Sequence, residues 1–296
     1  MGRYGLFLSE LLPEVPFSAN YSLKAHTTIG VGGTGCAFFP QSLGQLRSVV
    51  RACERCRIRY VPLGGGSNVL PSDGEFGGVF IVTDKFDHIA VEEEYVTAEC
   101  GASVGKFLSV CRKNGLCGAE FLAGIPARLG GVVFMNAGTS DGRISDLVEC
   151  VTFLQGSRLR VFSREECAFS YKESIFQHRK GVVLSVRMKL FRASEEEASA
   201  RLEKALKKRR SLPAGRSMGC VFKNPSPEIS AGKLIESCGC KGMREGGAKV
   251  SEEHANFMLN EENARAEDFY RLIKRVKEEV YARTGILLQE EIQYIK

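Results

Sequence analysis

Apolar residues recur along the chain in two rhythms, and each predicts its own element. Leu43, Leu46, Val49, Val50 and Cys53 return at helical intervals behind Ser42, a side chain suited to an N-cap, so the spacing predicts a helix over 42–56. Val104, Phe107, Leu108 and Cys111 repeat that pattern behind Ser103, and Asn114-Gly115 supplies the stop. Elsewhere the runs are short. Residues 58–63 and 78–83 are apolar stretches of strand length, and Ile89/Val91 and Val96/Ala98 alternate against acidic neighbours like a hairpin over 88–100. Further strands are predicted at 147–154, 158–162 and 182–191. Strands with few helices between them argue for an α+β domain rather than regular βαβ repetition.

The pattern changes near residue 193. Ser194-Glu195-Glu196-Glu197 resembles a capping box opening a charged helix to about Arg209, and Pro213 and Gly215 then break the chain. Residues 231–237 read as helical. Residues 265–284 give the clearest helix, with Phe269, Leu272, Ile273, Val276 and Val280 on one stripe and Gly285 as its stop. A last strand is predicted over 286–295. The expected organisation is an N-terminal segment over 1–22, a strand-rich domain over 23–192 and a smaller domain over 193–296.

Composition narrows the class. The 296 residues are 44% hydrophobic and 26% charged, as in ordinary globular proteins. The apolar runs fall short of the roughly 18–20 residues that cross a bilayer. The run within residues 1–10 is too short, and too soon broken by Glu10, for a secretory signal. The expectation is a soluble cytoplasmic protein, working as a monomer without membrane insertion. Eleven cysteines on so long a chain suit reduced, mostly buried thiols better than a disulfide framework. Cys53 and Cys56 together with Cys238 and Cys240 could offer zinc ligands, but the second spacing is unusual for zinc and no metal is expected. The net charge of +6 gathers in Lys204, Lys207, Lys208, Arg209, Arg210 and Arg216. Such a run is either a solvated helix face or a lure for an anionic partner. No aromatic residue interleaves it, so nucleic acid is not the expected partner.

Glycine loops carry the first chemical signal. Gly30-Val31-Gly32-Gly33-Thr34-Gly35 matches G-x-G-x-x-G, but a polar segment precedes it and a strand-like one follows, so it reads as a tight turn and not a dinucleotide fingerprint. Gly64-Gly65-Gly66-Ser67-Asn68 directly follows a strand, and its successive amides suit a pyrophosphate. Gly101-Ala102-Ser103 precedes a helix, where anions are favoured. Gly124-Ile125-Pro126 and Gly130-Gly131 lead to an apolar stretch ending in Asn136-Ala137-Gly138, where backbone can approach a ligand closely.

These loops in this order, with Thr28-Ile29-Gly30-Val31-Gly32-Gly33, resemble the FAD-binding half of UDP-N-acetylenolpyruvoylglucosamine reductases. The second half resembles the same family in Gly219-Cys220-Val221-Phe222-Lys223-Asn224-Pro225, Ala231-Gly232-Lys233-Leu234-Ile235-Glu236, Gly246-Gly247-Ala248-Lys249-Val250-Ser251 and His254-Ala255-Asn256-Phe257. The resemblance implies a vanillyl-alcohol-oxidase-type FAD domain followed by a smaller α/β substrate domain. It further implies that NADPH and FAD drive reduction of a UDP-sugar enolpyruvate to UDP-N-acetylmuramate, a peptidoglycan precursor. The short segment after Phe176 resembles the compact class of the family, without a long inserted loop. The glycine-loop residues 64–68, 101–103, 124–126, 130–131 and 136–138 are thereby expected at the cofactor.

The resemblance also places the chemistry, with departures. The family's Tyr-Arg-x-Ser reads Tyr171-Lys172-Glu173-Ser174 here, so Lys172 keeps the charge of the arginine without its bidentate fork. Glu291 matches the family's glutamate, with Gln293 where an arginine is usual, and Glu290 is expected to face the other way. Cys220 stands at the position of the proton-donating serine; a thiol of ordinary pKa, about 8.5, is a stronger acid than a hydroxyl. Lys172, Cys220 and Glu291 are the expected catalytic set. Tyr171, Lys223, Asn224, His254 and Asn256 are expected to bind substrate. The competing readings are another FAD oxidoreductase or oxidase on the same fold, and a basic nucleic-acid-binding protein.

Overall fold

A computed structural model describes residues 3–296; Met1 and Gly2 lie outside the described residues. The chain opens with a helix, Arg3–Leu11, whose Leu8 is fully buried. A strand, Phe17–Ser22, then pairs antiparallel with Thr34–Phe38. Val79–Val82 and Tyr60–Leu63 extend that sheet in parallel. All four residues of the strand Val79–Val82 are buried, which accounts for an unbroken apolar run there. The amphipathic helix Leu43–Arg55 forms as its spacing predicts, with Ser42 accepting the Gln45 amide.

A five-stranded antiparallel sheet follows, in the order Arg158–Ser163, Val148–Gln155, Val182–Lys189, Tyr95–Glu99, Ile89–Glu92. The predicted hairpin is its edge pair. Helices Val104–Lys113 and Leu129–Phe134 contribute their buried faces to the same core. The second of these was not predicted. Gly130 and Gly131 weaken its helical propensity, and only six residues are helical.

A third sheet, Ser217–Cys220, Phe257–Asn260, Ala248–Val250 and Arg244–Glu245, is antiparallel throughout. Helices Ala231–Ser237 and Ala266–Thr284 build its core, the latter stopped by Gly285 in the left-handed conformation. Helix Glu195–Arg209 packs instead on the first core through Leu202 and Ala205. On packing grounds we therefore place the division between domains nearer residue 210 than 193. The N-terminal segment, with Leu8 and Phe17 in the first core, goes with the first domain.

The predicted strand over 286–295 is much shorter. Only Gln293–Ile295 is regular, paired in parallel with Val69–Pro71. Before it, Glu291 donates its amide to Val221 and the carbonyl of Gln289 accepts from Lys223, so this segment pairs first with 221–223 and then with 69–71. A change of partner interrupts the ladder. The expected turn falls just before the glycines, at Thr28 and Ile29, where the Gly30 amide donates to the Thr27 carbonyl; residues 30–33 are irregular backbone running into the strand Thr34–Phe38, with no helix after it. Cys53 sits in the first core and Cys238 and Cys240 in the second, so the two pairs do not meet. No helix among the described residues is long and apolar enough to cross a membrane.

Candidate active site

One cavity of about 1510 Å³ brings the two halves together. Its walls come from the loop Gly64–Asn68, from segments within 124–138, from Lys172, from residues 217–220 and from Glu291. Drug-sized ligands occupy pockets of about 300–1,000 Å³, so this one has room for a dinucleotide and a second ligand.

Cys220 ends the strand Ser217–Cys220 and pairs with Phe257. The chain beyond it is pinned on both sides. Val221 donates to the Asn256 carbonyl at 2.9 Å. Asn256 then uses its whole side chain on Phe222, with Oδ1 accepting the amide and Nδ2 donating to the carbonyl, both at 2.9 Å. Burial, joined by the nearby Glu291 carboxylate, pushes the Cys220 thiol up to about 11, against the pull of Lys172 and Arg209. The thiol is therefore a weaker acid than its ordinary value suggests, and fully protonated at neutral pH.

Lys172 Nζ lies 2.8 Å from Glu291 Oε1, both side chains largely buried at 18% and 12% exposure. Burial alone would lower the lysine, but the carboxylate outweighs it and holds the ammonium above its ordinary value. Burial raises Glu291, and Lys172 offsets only part of that rise. Lys172 sits at φ +59, a conformation costly for a residue with a Cβ. A two-residue turn closes it, since Ser170 and Glu173 exchange backbone bonds at 3.1 and 3.2 Å. Asn136 donates to the Ser170 carbonyl at 2.7 Å and Gln177 to the Lys172 carbonyl at 3.0 Å. Glu290 turns the opposite way and binds Lys277 of the long C-terminal helix at 2.7 Å.

The expected cofactor residues divide into two groups. Gly64, Gly65, Gly66, Ser67, Asn68, Gly124, Ile125, Pro126, Gly130, Gly131, Ala137 and Gly138 line the cavity. Gly101, Ala102 and Ser103 do not. A Cβ at Gly101 would meet the Thr83 carbonyl at 2.1 Å, Ala102 is buried, and Ser103 caps the helix Val104–Lys113. They act from behind: the Gly101 carbonyl accepts from Arg128, a cavity residue, at 2.8 Å. Asn136 is likewise buried and spent on Ser145 and Ser170.

Of the expected substrate residues, none lines the cavity wall. Tyr171 is half exposed and its hydroxyl accepts the Asn224 amide at 3.2 Å. Asn224 Oδ1 accepts the amide of Ala231, and Lys223 reaches Glu173 at 3.5 Å. His254 accepts from Asn256 and packs edge-on against Phe257, with burial lowering its pKa. Asn256 is buried behind the cavity wall, with both ends of its side-chain amide bonded to Phe222. Sequence reasoning missed Gln177, for which no signal existed, and did not separate Arg209 from its basic run. Both line the cavity.

Comparison with known proteins settles the lineage. Residues 210–295 match the family model for UDP-N-acetylenolpyruvoylglucosamine reductase, C-terminal domain, and residues 35–157 match an FAD binding domain. The UDP-N-acetylenolpyruvoylglucosamine reductase of Caldicellulosiruptor bescii is 40% identical over 95% of this chain and 91% of its own length. This chain belongs to the UDP-N-acetylenolpyruvoylglucosamine reductase family. A second member of that reductase family, from Halalkalibacterium halodurans, is 37% identical over 93% of each chain. The crystal structure of the reductase from Thermus caldophilus superposes with a TM-score of 0.82 at 33% identity, covering 95% of this chain and 99% of that one. A solvent-stable cholesterol oxidase shares the FAD-domain fold alone, with a TM-score of 0.51 at 19% identity over 60% of this chain and 38% of that one. The expected oxidoreductase class and the vanillyl-alcohol-oxidase-type fold with its second domain are borne out.

The cavity fits FAD. Among the described residues, the amides of Gly65, Gly66 and Ser67 donate to no protein acceptor, so three donors stand free for a pyrophosphate. A Cβ on Gly131 would meet nothing within 4 Å, which leaves open space at this point of the cavity wall for a flat ligand.

Proposed function

We propose that this chain reduces the enolpyruvyl double bond of UDP-N-acetylglucosamine enolpyruvate to give UDP-N-acetylmuramate, with NADPH as the electron source. The observation that carries the reading is the convergence of Cys220, Lys172 and Glu291 on the cavity that the glycine loops also line. FAD, when bound, supplies the two-electron hydride chemistry that links NADPH to the double bond. Residues 64–67 and 131 would hold it.

Hydride addition to the vinyl carbon leaves negative charge as an enolate beside the substrate carboxylate. Lys172 presents positive charge to that region, held in place by Glu291 and by the clamped backbone at residue 170–173. Cys220 Sγ then delivers its proton to the carbon next to the carboxylate. The thiolate left behind is stabilised by Lys172 and Arg209 and opposed by Glu291. A proton from solvent restores the thiol. The high thiol pKa suits this role, since the donor is protonated whenever the enolate forms.

The test is spectroscopic. The purified protein should be yellow, and NADPH should bleach it without oxygen. Adding the enolpyruvyl UDP-sugar should then restore the oxidised spectrum. Restoration by oxygen alone, with indifference to the UDP-sugar, would favour an oxidase on the same fold and overturn the reading.

A further inference from the structure

The charges around Cys220 do not cancel. Lys172 and Glu291 neutralise each other at 2.8 Å. The third charge acting on Cys220 is Arg209, the last residue of the helix Glu195–Arg209. Its helical neighbours point outward and are paired: Lys207 with Glu203 at 3.2 Å and Lys208 with Asp141 at 2.7 Å. Arg209 alone of that last turn is half-buried and lines the cavity. Among the described residues it forms no ion pair, and Cys220 is the only group that favours its charged form. The fold makes room for it. Gly124 has φ +72, and a Cβ there would come within 2.6 Å of Arg209 Cγ. The guanidinium is thus led into the cavity past a glycine and left without a carboxylate. Sequestering such a charge without a partner is costly, so its position makes sense when an anion arrives.

We propose that Arg209 grips the carboxylate of the enolpyruvyl group, supplying the two-pronged contact that Lys172, committed to Glu291, does not make. This rests on the functional reading above. The choice among the substrate's anions follows from the chemistry. Cys220 protonates the carbon that bears the carboxylate, so the anion within reach of a cation beside Cys220 is that carboxylate, while the diphosphate lies many bonds away. A guanidinium holds a carboxylate through two parallel hydrogen bonds and so fixes its plane, which aligns the neighbouring carbon with the donor. As the enolate forms, the same fork faces growing charge on the carboxylate oxygens.

The experiment compares two ligands on the oxidised FAD-loaded protein, with binding read from the perturbed flavin spectrum. One is the enolpyruvyl UDP-sugar; the other is UDP-N-acetylglucosamine, which has the diphosphate but no carboxylate. Arg209→Gln should weaken the first by roughly 10–100-fold, as for a lost charged hydrogen bond. It should leave the second, and the FAD content, unchanged. Arg209→Lys should recover part of the loss, and it serves as the probe should Arg209→Gln fail to fold. Lys208→Gln, one residue away on the outer face, should change neither affinity. Equal weakening of both ligands would assign Arg209 to the diphosphate, loss of FAD would assign it to the cofactor, and no change would leave it without a ligand; each of these overturns the proposal. A wild-type spectrum indifferent to the enolpyruvyl sugar would instead sink the functional reading itself, and this one with it.

Discussion

Gln177 donates its side-chain amide to the carbonyl of Lys172 at 3.0 Å and to that of Phe134 at 2.9 Å. One side chain thereby ties the strained turn bearing Lys172 to the helix Leu129–Phe134 on the cavity wall. The left-handed conformation at Lys172 costs about 1–2 kcal/mol. It persists because the surroundings over-determine it.

Gln177→Ala should therefore cost more in rate than in stability. The lost bonds are worth about 1 kcal/mol each in folding. Released, residue 172 can relax and carry its ammonium away from Glu291. Turnover should fall on the order of tenfold, the size expected when a positioned group drifts, with FAD retained. A thermal melt and steady-state assay decide it: lost stability with full turnover would make the clamp merely structural.

Cys220→Ala should split the reaction. NADPH should still bleach the flavin, while reoxidation by the enolpyruvyl sugar falls by about 10²–10⁴-fold, the range for a lost general acid. Cys220→Ser should keep appreciable activity. Stopped-flow absorbance separates the half-reactions, and undiminished reoxidation in the alanine variant would remove Cys220 from the mechanism.

The pH profile has a definite sign. Cys220 acts as an acid and must be protonated, and its thiol is pushed up to about 11. The rate of product formation in the reoxidation half should hold from neutral pH upward and fall only as pH nears that value. Alkylation of Cys220 by iodoacetamide should be slow at pH 8 for the same reason. A fall centred near pH 8.5 in both measurements would mean that the thiol is not sequestered as described.

Gly131→Ala should act in opposite directions on the empty and loaded protein. The change adds a helix-favouring methyl in a helix where it meets no other atom, which should stabilise the apoprotein by up to about 1 kcal/mol. The same methyl would stand in the space assigned to FAD. Melting curves of the apoprotein and FAD titration by fluorescence test both halves; tighter FAD binding would place the cofactor elsewhere.

The sequence made some of this architecture readable and hid the rest for physical reasons. Helix Ala266–Thr284 declared itself because five apolar residues share one face and Gly285 ends it. The segment over 286–292 read as a strand from its apolar Ile286, Leu287, Leu288 and Ile292, but a pattern of side chains does not say that the backbone changes partners part-way. Glu290 and Glu291 faced apart as expected, one to Lys277 and one to Lys172. Arg209 was visible only as one charge in a basic run. Which member of the run turns inward depends on helix phase and on a glycine far away in sequence. Asn256 read as a ligand contact because a buried amide in a loop is equally suited to binding a sugar or a backbone, and here the backbone of Phe222 takes it.

The pairing of Gln293–Ile295 with Val69–Pro71 has a consequence for biogenesis. Val69 directly follows the loop expected to cradle the flavin, and Ile295 packs into the same small cluster as Leu63 and Val82. That loop therefore lacks one of its flanking supports until residues 293–295 have left the ribosome. The cofactor cradle thus depends on a segment far downstream in sequence, so flavin capture waits on residues 293–295. A nascent chain held with residues 293–295 still inside the ribosome should be colourless.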